Sequence, residues 1–295
     1  MKKTNILLIF AAISLFCGSC ASRKEFRTVT IAMDSSCNPQ QQLAAYEVIN
    51  NRITSLWRVR NRTELIDGKF NVTYSGEDTL LARMLTKRGE VYVTEMFSRH
   101  DVQEALNDVY ERLFWLSENI YHEPLWQTSH FIHHFSVLIS AYPHQVARLD
   151  SVFNQYQHYF PANSYFAWSA TPNNNGFYEL FALKSISNPI LLNPNTVREG
   201  RIQDNFQGFQ HLAIFLERSY HAEWARITRD NVGRHLAIVM DGKVLSPPMV
   251  NIEITGGASA ISGNFTTDDL LLIKSAILGG ILECTARIIE IPNTN

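Results

Sequence analysis

The sequence has few features that assign a chemical activity directly. Its 295 residues carry a formal net charge of −2, so no excess of positive charge indicates nucleic acid as a partner. Its serines lie in no nucleophile-elbow pattern. Gly256, Gly257 and Gly263 lack the Lys and Ser/Thr pair of a phosphate-binding loop. These absences favour a protein that is not an enzyme and needs no cofactor.

A second long hydrophobic run is also missing. The apolar segment at 270–282 is interrupted by Lys274 and by Gly279-Gly280, and it is too short to span a bilayer. With 45% hydrophobic residues, the chain can bury a full core, and its length is typical of about two domains.

The N-terminus indicates secretion. Lys2 and Lys3 precede an apolar run at 6–16, a pattern typical of a signal peptide. The following Cys17-Gly18-Ser19-Cys20 resembles the bacterial lipobox, in which the last cysteine is acylated and becomes the new N-terminus. We therefore expect a lipoprotein signal peptide over 1–19, lipid attachment at Cys20 and a linker over 20–26. Cleavage by ordinary signal peptidase is the alternative.

The residues after Cys20 bear on the location of the protein. Ala21 and Ser22 stand there and not aspartate, so retention in the inner membrane is not signalled. The expected location is the cell envelope, with the protein anchored by lipid at the periplasmic face of the outer membrane.

Cysteine is scarce, with four in the whole chain. Cys17 is removed and Cys20 carries lipid under the lipoprotein interpretation, which leaves Cys37 and Cys284 in an oxidising compartment. Cys37 closes the first predicted strand and Cys284 opens the last. If those strands pair antiparallel, the two sulfurs can meet and form a disulfide. Two separately buried thiols are the alternative.

The first part of the chain alternates between strand and helix patterns. A half-buried strand is predicted over 27–33 and an amphipathic helix over 39–57. A hairpin with Asp67-Gly68 at its turn follows, then a helix over 77–88 and a strand over 90–97. This order is that of a ferredoxin-like α+β unit. We predict such a base over 27–98, followed by a helical and α+β middle segment over 99–175.

The stretch RHLAIVMDGKVLSPPMV at 234–250 predicts a buried strand that turns at Asp241-Gly242. Pro247 and Pro248 cannot donate ladder hydrogen bonds, so the second strand is an edge or a bend. Such an edge can accept a strand from a partner. A capped edge that binds nothing is the alternative. A helix with a threonine cap is predicted over 266–280.

An ordered series of motifs in this part of the chain resembles a known family. The segments are Thr228 to Gly233, the apolar strand with Asp-Gly at 236–242, and Gly256 to Thr266. Together they are similar to the head of the first periplasmic domain of SecD, the membrane-bound accessory protein of the Sec translocon. The resemblance implies a head over 176–266 inserted into the base, with 267–295 returning to the base as a closing helix and strand.

The resemblance also implies a function. The periplasmic part of SecD is thought to hold or pull polypeptide that emerges from the channel. The expected partners are therefore translocating or unfolded polypeptide and Sec translocon components, with no nucleic acid. The expected partner-binding residues are Pro247, Pro248, Gly256 and Gly257.

The membrane aspartates through which SecD is thought to couple proton flow have no counterpart in this sequence. We therefore expect a stand-alone lipoprotein that works without the proton gradient. A cell-envelope module that reuses the fold for an unrelated partner is the alternative.

A histidine cluster provides a third hypothesis, a metal-dependent enzyme. His130, His133 and His134 lie close together, with His122-Glu123 nearby in sequence, and histidine is a common zinc ligand. No carboxylate or cysteine stands at ligand spacing from them, so we predict no metal site.

Overall fold

The structure is a computed structural model that describes residues 26–57, 62–66, 69–75, 77–121, 136–187, 189–205 and 208–290. The helices in these ranges are α1 (Pro39–Trp57), α2 (Asp78–Thr86), α3 (Gln103–Leu116), α4 (Val146–Gln155), α5 (His221–Asp230) and α6 (Thr267–Gly279).

The strands in the same ranges form four sheets. They are β1 (Arg27–Met33), β2 (Arg62–Ile66), β3 (Lys69–Tyr74), β4 (Val91–Glu95), β5 (Val137–Ala141), β6 (Ser164–Trp168), β7 (Tyr178–Lys184), β8 (Ile190–Leu191), β9 (Val197–Asp204), β10 (Gln210–Leu216), β11 (Leu236–Met240), β12 (Lys243–Ser246), β13 (Ala258–Ile261) and β14 (Ala286–Glu290). Strands and helices are mixed along the chain, which confirms the predicted α+β class.

The base is an antiparallel sheet with the strand order β14-β1-β3-β2. Successive side chains of β1 point to opposite faces of the sheet. Val29 and Ile31 share one face, and they pack in one core with residues of α1 and α2. The opposite face is polar, and the hydroxyls of Thr28 and Thr73 lie 2.8 Å apart across it. One face of this sheet therefore holds helices and the other meets solvent.

The predicted fourth strand of the base is wrong. The predicted base includes the strand at 90–97, but β4 pairs with β11 and β8, and β14 lies beside β1. The physical reason is that β4 is apolar on both faces: Val91 and Val93 belong to one core, and Tyr92 packs against another. Such a strand suits a sheet that is covered on both sides, whereas the base sheet is open on one side.

The head is built on two sheets around one core. The sheet β12-β11-β4-β8 and the sheet β13-β10-β9 enclose this core together with α5 and α6. The turn at Asp241-Gly242 joins β11 to β12 and contacts the start of β4. There the Asp241 carboxylate accepts hydrogen bonds from the backbone N–H groups of Gly89 (3.1 Å) and Glu90 (2.9 Å). The turn therefore fixes the chain that leads from the base into the head.

The middle segment has its own sheet, β5-β7-β6, packed against α3 and α4. β6 and β7 pair along their length, so the predicted boundary between 175 and 176 divides a sheet. Two isolated bridges connect this sheet to the head, Met96 with Leu183 and Ser169 with Val244. The middle segment and the head therefore share a boundary at which the ends of several strands meet.

Candidate functional site

The boundary between head and middle segment contains a cavity of about 330 Å³. Its lining comes from the β6–β7 connection, the start of β10, the residues after β12 and the loop between β13 and α6. Most of this lining is either amide or apolar. We call it the asparagine cleft, and its principal residues are Pro172, Asn173, Asn174, Phe181, Phe209, Pro247, Gly263 and Asn264.

The β6–β7 connection positions the first two amides. Oδ1 of Asn173 accepts hydrogen bonds from the backbone N–H groups of Asn175 (3.0 Å) and Phe177 (3.2 Å). Its Nδ2 donates to Glu179 (3.0 Å). Among the described residues, Asn174 has no side-chain hydrogen bond. The turn therefore uses Asn173 for its own stability and presents Asn174 to the cleft.

The loop between β13 and α6 supplies the third amide. Nδ2 of Asn264 donates to the backbone oxygen of Pro172 at 3.3 Å, which connects this loop to the β6–β7 connection. Thr266 then begins α6, and its side-chain oxygen accepts from the backbone N–H of Asp269. The helix cap thus holds the loop in place beside the cleft.

Phe209 provides the principal exposed apolar surface of the cleft, with 65% of the residue accessible. Its backbone N–H donates to Oδ1 of Asn205 at 2.9 Å, which fixes it at the entry of β10. A large aromatic side chain in this position is available to a ligand.

Of the residues predicted to bind a partner, the two prolines follow β12 and the two glycines precede β13. Pro247 lines the cleft, whereas Gly257 precedes β13 and the lining residue Gly263 follows it. Gly257 has a φ of +64° and packs against His221, which gives it a structural reason to be glycine. Of the four residues predicted to bind a partner, Pro247 is the one that lines the cleft.

The backbone at the proline bend is already hydrogen-bonded. The oxygen of Pro247 accepts from Nδ1 of His235 (2.8 Å), and that of Pro248 accepts from the N–H of Leu236 (3.1 Å). Along the edge of β12, the oxygen of Val244 accepts from the N–H of Ala170 (2.8 Å). A partner would therefore contact side-chain surface here, since these carbonyls are occupied.

The cysteine pair lies in the base, where the first and the last strand of the described chain meet. β1 and β14 pair antiparallel, and the structure joins Cys37 to Cys284 as a disulfide with their Cα atoms 6.1 Å apart. Cys284 is buried in the base core. The bond itself remains a prediction that chemistry must test.

Several predicted residues lie outside the described residues. Among them are Cys20, the turn residues Asp67 and Gly68, Glu123, and the histidines at 122, 130, 133 and 134. Within the described ranges, the structure shows no group of three or more His, Cys, Asp or Glu side chains that could hold a metal ion. In the same ranges, every helix is too short or too polar to cross a membrane.

Sequence reasoning missed the amides of the cleft. The segment TPNNNG at 171–176 has the composition of a turn, and Phe209 lies in a segment with a strand pattern, so neither indicates a binding site by itself. The available signal is the run of three asparagines at 173–175, because each side-chain amide can both donate and accept hydrogen bonds.

Comparison with known proteins defines the class of domain that carries this cleft. The profile of the family "SecDF, P1 head subdomain" matches residues 181–282. This range begins within β7 and contains β8 to β13 and α6. It includes the cleft residues Phe181, Phe209, Pro247, Gly263 and Asn264, whereas Asn173 and Asn174 precede it. Residues 181–282 are therefore similar to the head subdomain of SecDF.

Particular relatives are bacterial SecD proteins. The protein translocase subunit SecD of Leptotrichia buccalis is 29% identical over 102 residues, which cover 35% of this chain and 25% of the relative. SecD of Rickettsia bellii is 42% identical over 67 residues, 23% of this chain and 13% of the relative. The matched part therefore spans a quarter or less of these relatives.

The fold of the whole described chain is also similar to a solved structure. The crystal structure of SecDF in a super-membrane-facing form superimposes with a TM-score of 0.50 at 16% sequence identity. The similarity covers 91% of this chain and 30% of that one. At this identity the likeness shows a shared fold.

Proposed function

We propose that this protein is a non-enzymatic lipoprotein of the cell envelope that binds polypeptide on the periplasmic side. Its role is to assist protein export or the handling of chains after translocation. The similarity to SecD over 181–282 supports the connection to export. The observation that carries the proposal is the asparagine cleft, with the available amide of Asn174 beside the exposed ring of Phe209.

The chemistry of the cleft suits an extended chain of any sequence. A side-chain amide offers both a donor and an acceptor, which match the N–H and C=O groups of a peptide backbone. Aromatic and proline surfaces accept apolar side chains without selecting one of them. Glu179 is the one charged side chain among the described lining residues, and it is hydrogen-bonded to Asn173. The cleft therefore has little means of rejecting a chain by its sequence.

A crosslinking experiment in cells tests polypeptide binding. A photoreactive phenylalanine analogue is placed at Asn174, with Thr54 as the control because it is exposed on α1 of the base. We expect crosslinks to translocating chains or Sec components from position 174 only. Equal capture from both positions, or no capture from 174, would contradict the proposal.

A binding experiment with purified protein tests the role of Phe209. Phe209→Ser should weaken binding of an unfolded, reduced secretory protein by about tenfold, because it removes the main exposed apolar surface of the cleft. Phe114→Ser is the matched control, since Phe114 is 62% exposed but lies on α3. Equal effects of the two substitutions would indicate non-specific adhesion.

The lipid anchor is proposed from the sequence and tested separately. Cys20→Ala should release a soluble or unprocessed form, because no acyl chain can then be attached. Fractionation of cells that express the variant measures this. An unchanged amount in the membrane fraction would refute lipid anchoring.

A further inference from the structure

A second and larger cavity lies directly beside the asparagine cleft. It measures about 470 Å³, and we call it the arginine cavity. The two cavities share a wall, because His235 lines the arginine cavity and donates from Nδ1 to the oxygen of Pro247, which lines the cleft. Residues central to its chemistry are Met96, Arg99, Asp101, Arg234, His235 and Met249.

The two arginines are held there by their surroundings. The guanidinium of Arg99 lies 5.5 Å from the ring centre of Tyr110, so one of its faces is covered. Arg234 follows the turn that ends α5, and its backbone oxygen accepts from the N–H of Val250 at 2.9 Å. Arg99 is therefore held through its side chain, and Arg234 through its backbone.

The charge of the cavity is not balanced from within. Within the described ranges, neither Arg99 nor Arg234 makes an ion pair. Asp101 is occupied locally, because its Oδ2 accepts from the N–H of Ser98 (2.8 Å) while Oγ of Ser98 accepts from the N–H of Asp101 (3.2 Å). Burial raises the pKa of Asp101, but hydrogen bonds with Ser98 and the charges of Arg234 and Lys184 outweigh this and lower it, so this carboxylate is charged beside Arg234. Two arginines and one aspartate leave the lining with a net positive charge.

The rest of the lining combines two methionines with polar residues, among them Ser98, His100, Gln103 and Ser136. Met96 is buried in the wall, and Met249 is 45% exposed. Methionine adjusts its shape to different neighbours, whereas a guanidinium recognises a carboxylate through two parallel hydrogen bonds. The combination suits a negatively charged group carried on an aliphatic stem.

We propose that the arginine cavity binds a carboxylate of the polypeptide that lies in the asparagine cleft, either an acidic side chain or the chain's C-terminus. The inference rests on the proposed function. It adds a preference for acidic chains to a cleft that by itself selects little by sequence. A chain that crosses from the cleft past Pro247 brings its next side chains to Arg99 and Arg234.

A matched pair of peptides tests the inference with the purified full chain. One short unstructured peptide carries Glu at two positions and a neutral dye, and its partner carries Gln at the same positions. We expect the Glu peptide to bind about tenfold more tightly, because charge-assisted hydrogen bonds are stronger than neutral ones. Arg234→Gln and Arg99→Gln should each remove most of that preference and leave the affinity for the Gln peptide unchanged.

Controls separate the possible outcomes. Arg287→Gln also removes one positive charge, but from β14 of the base sheet, and this variant should keep the preference for the Glu peptide. Because Arg234 is exposed, its substitution leaves the fold intact even where Arg99→Gln does not. Equal binding of both peptides overturns the carboxylate site but leaves the proposed function standing. Binding of neither peptide overturns both.

Other anions supply the last comparison. Inorganic phosphate and acetate are added as competitors at equal ionic strength, as are vesicles that contain an anionic phospholipid. Competition by acetate supports the carboxylate assignment. Competition by phosphate or vesicles without competition by acetate would overturn it, because the cavity would then recognise a phosphate group.

Discussion

Arg52 on α1 donates two hydrogen bonds to the backbone oxygen of Gly280 at the end of α6, from Nε at 3.0 Å and from Nη2 at 2.7 Å. The same guanidinium donates to backbone oxygens that follow α2, those of Lys87 (2.7 Å) and Arg88 (2.5 Å). Arg52 is 1% exposed. One buried cation therefore satisfies the carbonyl ends of two helices, where the helix dipoles favour positive charge.

Burial lowers the pKa of Arg52 to about 10, while the nearby carboxylate of Asp241 raises it. The side chain therefore remains charged at neutral pH. Asp241 also fixes the turn at the start of β4. The base, the head and α6 thus meet around this one side chain.

The first prediction concerns this arginine. Arg52→Lys keeps the charge but cannot reach all of these carbonyls, so buried acceptors lose their donors. We expect the free energy of unfolding to fall by about 2–4 kcal/mol, measured by urea denaturation. Arg226→Lys on the exposed face of α5 is the control and should change it by less than about 0.5 kcal/mol. Equal midpoints for the two variants would contradict the role of Arg52.

The second prediction concerns the contact between α1 and α6. A Cβ atom at Gly279 would lie 2.7 Å from the backbone nitrogen of Arg52, which is closer than real contacts allow. Gly279→Ala should therefore force the helices apart and cost about 1–3 kcal/mol. Gly256→Ala is the control, because nothing lies within 4 Å of its Cβ position. Thermal unfolding that does not distinguish the two variants would count against the close packing.

Local patterns were sufficient for elements whose ends and faces are set by neighbours in sequence. α6 begins at the predicted Thr266 cap and ends before Gly280, since a cap depends on residues only three positions apart. β1 and α1 follow their hydrophobic periods in the same way. These predictions are confirmed.

Long-range partners could not be predicted from such patterns. β4 follows the base elements directly in sequence, and its pairing with β11 is what shows that it belongs to the head. Arg52 looks like any polar residue of an amphipathic helix, because its acceptors lie more than thirty residues away. The asparagine cleft is assembled from four separate segments. In each case the deciding contact joins residues distant in sequence.

The third prediction concerns the start of α6. Burial raises the pKa of Asp269, but hydrogen bonds from Thr266 and Arg83 outweigh this effect and hold the pKa below its ordinary value of 3.8. Because the pKa is lower in the folded state, the ionised carboxylate stabilises the fold at every pH above its ordinary pKa. This stability is lost as the pH falls through the folded-state pKa.

Asp269→Asn should therefore reduce the free energy of unfolding at pH 7 by about 1 kcal/mol, the usual value of a helix cap. The difference from the wild type should shrink below about pH 4. Asp268→Asn changes the neighbouring residue of the same helical turn, and it should leave the pH profile unchanged. Chemical denaturation across this range measures both variants, and parallel profiles for wild type and Asp269→Asn would refute the linkage.

The fourth prediction concerns Cys37 and Cys284. Their sequence separation is 247 residues, so the bond closes a loop that contains the head and the middle segment. In the chain-entropy model a loop of this length stabilises by roughly 4–5 kcal/mol, and engineered bonds usually give less. The bond would also hold β14 against β1 while the head is loaded by a bound chain. Mass spectrometry of unreduced, alkylated protein should recover a linked peptide pair that contains both cysteines.

Substitution of both cysteines measures how much the disulfide contributes to stability. Cys37→Ala together with Cys284→Ala should lower the unfolding temperature, and adding reductant to the wild type should produce a similar fall. The double variant should then be insensitive to reductant, because no other cysteine lies within the described residues. Cys37 and Cys284 recovered as two freely alkylated thiols would show that the strands pair without the bond. In that case the antiparallel contact of β1 with β14 would have to hold the seam through its ladder hydrogen bonds and the packing of Ile31 against Ile288 alone.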